Sequence, residues 1–187
     1  MTKQISARNI LTKRNLALGA ILSGSLISLP VMAVQLGNGQ TAFNYPPHLV
    51  RATTSYKSPH MSATYYFTLA IPQNAGEPLG AVTISQRQNS DTISFDPSRS
   101  RASLGDRFAK GSEIPLASIG GEQPNKPGEA TIAFDPPVPP GNTVTVALRA
   151  KSNPNGGIYL FGVTAFPAGE KSSGQFLGYG SLHFGSR

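Results

Sequence analysis

Short runs of this chain alternate apolar and polar residues with a period of two, again and again along its length. Over residues 63–71 the side chains of Tyr65, Phe67, Leu69 and Ile71 fall on one face. Val82 and Ile84 do so in the next run, then Ile93 with Phe95, and Ile132 with Phe134. Val144, Val146 and Leu148 alternate with Thr143, Thr145 and Ala147. Successive side chains of a strand point to opposite faces, so such runs are strands with one buried and one wet face. Residues 158–166, IYLFGVTAF, are apolar on both faces and read as a central strand. Residues 176–184 alternate loosely around two glycines and read as a last strand.

Turn chemistry separates the runs, at residues 72–78, 96–97, 136–141 and 153–157, each rich in Pro, Gly or Asn. No long amphipathic helix lies between them. Together these predict an all-β fold, an antiparallel β-sandwich of immunoglobulin-like type. The expected core is Phe67, Leu69, Ile71, Val82, Ile84, Phe95, Ile132, Phe134, Val144, Val146, Leu148, Leu160 and Val163. Residues 99–116 are less regular and read as a loop or a short helix. No internal repeat or domain boundary is visible within residues 34–187, which read as a single domain.

The segment before this domain has a different composition. Lys3, Arg8, Lys13 and Arg14 precede an apolar run over residues 16–29, then Pro30 and Val31-Met32-Ala33. That order of basic, apolar and small-residue regions is a cleavable signal peptide over residues 1–33, with Val31 and Ala33 at the small-side-chain positions before the cut. A spanning helix needs ~20 apolar residues, and this run is shorter and holds three serines, so no membrane span is expected after cleavage. Lys13-Arg14 is not a twin arginine, and without cysteine there is no lipid anchor, thiol nucleophile or thiolate metal site.

Cleavage leaves 154 of the 187 residues, enough for one real core. It also removes four of the sixteen basic residues and none of the nine acids, so the net charge falls from +7 to +3. The basicity of the whole chain is partly that of its export signal, and no nucleic-acid partner is expected.

Four stretches, ATYYFTLAIPQNAGEPL (63–79), VTISQRQ (82–88), FDPPVPPGNTVTVAL (134–148) and GGIYLFGVTAFPAGEKSSGQFLGYGSLHF (156–184), resemble the cyanobacterial family catalogued as domain of unknown function 2808. The resemblance implies an exported cyanobacterial protein of the periplasm or cell envelope, with the thylakoid lumen as another compartment. It brings no catalytic residues.

No motif points to chemistry. His48, His60 and His183 lie far apart, without metal-ligand spacing, and read as surface or packing residues. Asp91, Asp96 and Asp106 lack the density of a calcium loop. No serine sits in a nucleophile elbow, and no carboxylate pair has a hydrolase signature. No cofactor or metal is expected. Tyr66, Tyr159 and Tyr179 could stack on sugars, although strand tyrosines more often serve packing. The densest charge, SRSRASLGDRFAK, places Arg99, Arg101, Arg107 and Lys110 in one segment, which reads as a solvated loop or, in the sharper reading, as one that binds phosphate, sulfate or an acidic glycan. The reading is thus an exported, non-enzymatic binding or envelope-structural module whose partner is an envelope protein or an acidic glycan. Alternatives are an envelope hydrolase or carbohydrate-active enzyme, or an accessory protein of a lumenal complex.

Overall fold

A computed structural model describes residues 34–35, 39–108, 110–119 and 126–185. The chain divides between Pro30 and Val31, and the expected signal peptide lies outside the described residues. What is described is all β. The strands are β1 (Val34–Gln35), β2 (Thr41–Ala42), β3 (His48–Thr54), β4 (Ala63–Ala70), β5 (Leu79–Gln86) and β6 (Phe95–Leu104). They continue with β7 (Glu113–Ile114), β8 (Leu116–Ile119), β9 (Glu129–Val138), β10 (Thr143–Ala150), β11 (Gly157–Pro167) and β12 (Gln175–Phe184).

Two five-stranded antiparallel sheets form the sandwich. Sheet I has the order β3-β4-β10-β6-β7 and sheet II the order β12-β11-β5-β9-β8. The order β3-β4-β10-β6 follows strands A-B-E-D of an immunoglobulin fold, and β12-β11-β5 follows G-F-C. Strands β7, β8 and β9 are inserted between the D-like and E-like strands, and the β8–β9 pair widens sheet II. Near the start of the described chain, β1 pairs with β2, and Thr41 is bonded through its backbone to Lys171 and Ser173 in the β11–β12 turn.

The alternation works as expected. Val144, Val146 and Leu148 of β10 lie opposite Leu69, Phe67 and Tyr65 of β4, and all six are buried. In sheet II, Val82 faces Ile132, and Ile84 faces Val163. The aromatic heart joins the sheets: Phe161 of β11 meets Tyr65 and Phe67 of β4 edge-on at 5.7 and 5.8 Å. At the open edge, β12 closes over β3. Gly180 permits this, because a Cβ there would stand 2.6 Å from that of Ala52.

Three expectations need correction. Leu160 is not core: β11 turns Tyr159, Phe161, Val163 and Ala165 inward, so Leu160 takes the opposite parity and is half-buried on the outer face. Residues 99–104 are neither loop nor helix but the second half of β6, and the strand begins at Phe95, so Ile93 is buried from the preceding loop. Phe95 itself is half-buried and packs on the core edge.

Candidate functional site

The basic segment is split by the fold. Residues 97–100 of β6 stand opposite the single residue Leu148, between the pairs Arg101–Ala147 and Asp96–Arg149. This wide bulge carries Arg99, which is exposed. The bulge is tied at its base: Ser100 Oγ donates to the Asp96 carbonyl at 3.0 Å and accepts from the Arg149 amide at 3.3 Å. Ser98 Oγ donates to the Asp96 carboxylate at 2.7 Å. Arg101 lies on the strand proper, its Nε 3.3 Å from a carboxylate oxygen of Glu113 on β7. Both side chains are more than half exposed, so this pair adds little stability.

Arg107 and Lys110 sit exposed on the loop 105–112, which folds back over the outer face of sheet I. The Gly105 amide donates to the Thr143 carbonyl at 2.7 Å, and Thr145 Oγ1 donates to the Gly105 carbonyl at 2.8 Å. The Phe108 ring packs on Tyr66 at 5.6 Å, which accounts for that tyrosine without any sugar. Thr68 and Thr145 are buried here and share a 3.0 Å hydroxyl bond.

The fold also brings two arginines to this face that the sequence reading missed. Arg51 of β3 pairs with Thr68 in register and donates from Nη2 to the Asp106 carbonyl. Arg149 of β10 lies between Thr64 and Asp96. The signal for Arg149 was its parity with Thr143, Thr145 and Ala147.

The outer face of sheet II has another character. Its register places Gly162, Thr164 and Phe166 of β11 beside Ser85, Thr83 and Ala81 of β5, with Thr131 and Ala133 of β9 beyond. The Thr83 and Thr131 hydroxyls are 2.8 Å apart. This floor of small side chains includes a hollow of about 490 Å³ walled by Phe166 and Pro137. Beside it stand two exposed rings of β12, Phe176 (58 %) and Tyr179 (53 %), paired edge-on at 5.1 Å. They sit over Gly162, where a Cβ would come within 3.2 Å of Phe176 and 3.5 Å of Tyr179. The Arg87 guanidinium lies 5.8 Å from the Tyr179 ring centre. Glu129 lies opposite Ser85 on the same face. Of the three tyrosines considered for sugar stacking, Tyr179 alone keeps its ring exposed, since Tyr159 is buried.

One end of the sandwich carries a polar hollow of about 540 Å³ lined by His60, Asp91, Lys151 and Asn155 among others. Several of its groups are already engaged with one another. The buried Asn153 donates to the Tyr56 and Ser58 carbonyls at 3.0 and 2.9 Å and accepts from the Tyr65 hydroxyl at 2.9 Å. Burial, and secondarily the neighbouring Tyr159, pushes the Tyr65 phenol well above its usual range. Asp91 accepts from the Asn155 amide at 2.8 Å and the Tyr159 hydroxyl at 3.4 Å. His60, in the left-handed region at φ 60°, donates its amide to the Asn153 carbonyl. These bonds pin three loops together. Among the described residues no three His, Asp or Glu side chains converge as metal ligands.

The family model for the protein of unknown function DUF2808 matches residues 40–184. The chain belongs to this family. No curated protein matches the DUF2808 chain at a significant level. Among solved structures it is similar to a collagen adhesin (CNA) from S. aureus, at 9% identity and a TM-score of 0.40, over 72% of this chain and 48% of that one. The DUF2808 chain thus spans about half of that adhesin. It is similar to ACE19, the collagen-binding subdomain of the Enterococcus faecalis surface protein ACE, at 9% identity and a TM-score of 0.41, over 75% and 98%. It is also similar to AvmM, which catalyzes macrocyclization in alchivemycin A biosynthesis, at 14% identity and a TM-score of 0.37, over 83% and 96%. Collagen binding and macrocyclization are properties of those proteins.

Proposed function

We propose that this DUF2808 domain is an exported, non-enzymatic module that binds an acidic glycan of the cell envelope on the outer face of sheet II. The observation that carries this is the Phe176–Tyr179 pair, both rings more than half exposed above Gly162, with Arg87 beside Tyr179. A ring face offers an apolar platform to the C–H face of a sugar, while the tyrosine hydroxyl and the Thr83–Thr131 pair offer hydrogen bonds. Ligand sites combine such apolar walls with a few placed polar groups. Arg87 draws the ligand's anionic group to the ring side, and Glu129 keeps it from the other side of β5. A protein partner is the second reading, because interface cores are enriched in Phe, Tyr and Arg, the residue types of Phe176, Tyr179 and Arg87.

The basic residues Arg99, Arg107 and Lys110 form a second, salt-sensitive contact in this reading. Each is exposed and outside any ion pair among the described residues. The export signal at residues 1–33 supports a periplasmic or envelope location, with the thylakoid lumen the alternative compartment. Among the described residues no helix is long and apolar enough to cross a membrane. Retention on an immobilised polyuronate tests the proposal. The double variant Phe176→Ala, Tyr179→Ala should elute well ahead of wild type at low salt. Equal elution would overturn it.

A further inference from the structure

Alternation puts Arg149 at the end of a polar parity, Thr143, Thr145, Ala147, Arg149, on the outer face of sheet I. Its register partner on β6 is Asp96, the expected counter-charge. The bulge prevents that pairing: the Asp96 carboxylate takes the Ser98 hydroxyl instead, and Arg149 forms no ion pair with any described acid. Arg149 is half-buried, and its Nε is fully covered with no hydrogen-bond partner. Its Nη1 reaches Thr64 Oγ1 at a long 3.4 Å. An unsatisfied buried donor is costly, more so on a charged group. A water or an ion is one of the partners that such a donor takes in native folds.

A second arginine lies diagonally across on β6, its Nε turned toward Glu113 of β7. Arg101 lies opposite Ala147, two residues before Arg149 on the same face of β10, so a small methyl is all that β10 places between the two positions. Arg101 shares its charge with the exposed Glu113. Arg99 rises on the bulge beside it. Across the face, Arg51, Arg99, Arg101, Arg107, Lys110 and Arg149 outnumber Asp96, Asp106 and Glu113 two to one.

We infer that Arg149 and Arg101 form a binding site for a tetrahedral oxyanion, a sulfate or phosphate group. Each guanidinium presents a planar fork of donors. Two forks on adjacent strands need more than the two oxygens of a carboxylate, and a tetrahedral anion supplies them. An oxyanion satisfies the orphan Nε after a small rotation of the side chain and replaces the counter-charge that Asp96 withholds. The site lies on the opposite sheet from the Phe176–Tyr179 platform and stands or falls independently of it.

The test uses ¹⁵N-labelled protein titrated with inorganic sulfate, inorganic phosphate or acetate, with sodium chloride adjusted to hold ionic strength constant. Sulfate and phosphate should move the Arg149 and Arg101 Nε–Hε resonances in a saturable way, and acetate should not. Arg87, on the other sheet, should stay still, and Tyr179→Ala should leave the titration unchanged. Arg149→Met should weaken the apparent affinity about tenfold or more, the loss expected of a charge-assisted contact. Arg101→Gln does the same if the first variant fails to fold. Sulfated dextran and phosphatidylglycerol vesicles then distinguish a polymer-borne from a lipid-borne anion, since the source that saturates the same resonances at lower oxyanion concentration is the physiological class. Small, non-saturating shifts spread evenly over Arg51, Arg87, Arg107 and Arg149 would overturn the inference.

Discussion

The two outer faces of this sandwich are built on the same alternation and finish differently. Sheet I turns Thr64, Thr68 and Thr145 outward and then covers part of them with its own loop 105–112, leaving arginines around the margin. Sheet II turns Ser85, Thr83 and Thr131 outward and leaves them half-exposed, with Gly162 buried beneath two aromatic rings. One face is capped and basic, the other open and aromatic. The core between them is common property, so any loss there should remove both faces together. Damage on one face should spare the other. Separability of that kind makes a binding claim testable in a fold that hosts unrelated functions.

The largest effect is expected where the faces cannot be separated. Phe67 is fully buried and meets Phe161 of the other sheet. Phe67→Ala should cost about 3–5 kcal/mol in chemical denaturation, with oxyanion and glycan binding lost in parallel. Retention of either binding in an otherwise unfolded chain would break the idea of a shared scaffold.

A middle effect is expected at the pinned end. Tyr65→Phe removes the bond to Asn153 Oδ1 and leaves that oxygen buried, at a cost of about 1–3 kcal/mol. The same residue gives a pH signature. Its pKa is raised in the fold above the unfolded value of 10.0, chiefly by burial, so the folded state keeps a proton that the unfolded chain releases. This contribution is fully present below pH 10 and is lost as pH rises beyond it. Wild-type stability should therefore fall above pH 10, and Tyr65→Phe should fall less steeply. Equal alkaline slopes would remove Tyr65 from the explanation.

The smallest effect on stability should sharpen the contrast most. An added Cβ at Gly162 meets Phe176, Ser85 and Tyr179 at 3.2–3.5 Å, which the exposed rings can relieve by moving. Gly162→Ala should change stability by less than about 1 kcal/mol while displacing the ring pair, so glycan retention drops and the Arg149 titration stays as in wild type. Loss of both would mean that the faces are coupled.

Much of this was legible in the sequence. The runs around Phe67, Val82, Ile132 and Val146 pair opposite apolar with polar residues, and each became a strand of the expected parity. Residues 158–166 announced a central strand but not its orientation: with apolar residues on both faces, nothing local distinguishes Leu160 from Phe161. Strand β6 was hidden for a different reason. Four of its residues bulge against one of β10, which breaks the period that would have revealed it. Its buried Ser100 and Ala102 are also too small to read as core. The basic run was visible as charge, yet its neighbours Arg51 and Arg149 are about fifty residues away on either side and meet it through strand pairing alone. The contact between Arg87 and Tyr179 spans a still longer stretch of chain, and no local pattern encodes it.

In the proposed function the rings of β12 receive a sugar chain. Saturation-transfer NMR with an oligouronate tests it directly, by irradiating aromatic protons and reading the sugar C–H signals. Stacking on Phe176 and Tyr179 predicts transfer strongest to the ring C–H protons of the sugar, abolished in Tyr179→Ala and undiminished in Arg149→Met. No transfer to the oligouronate, or transfer that survives Tyr179→Ala unchanged, would contradict it.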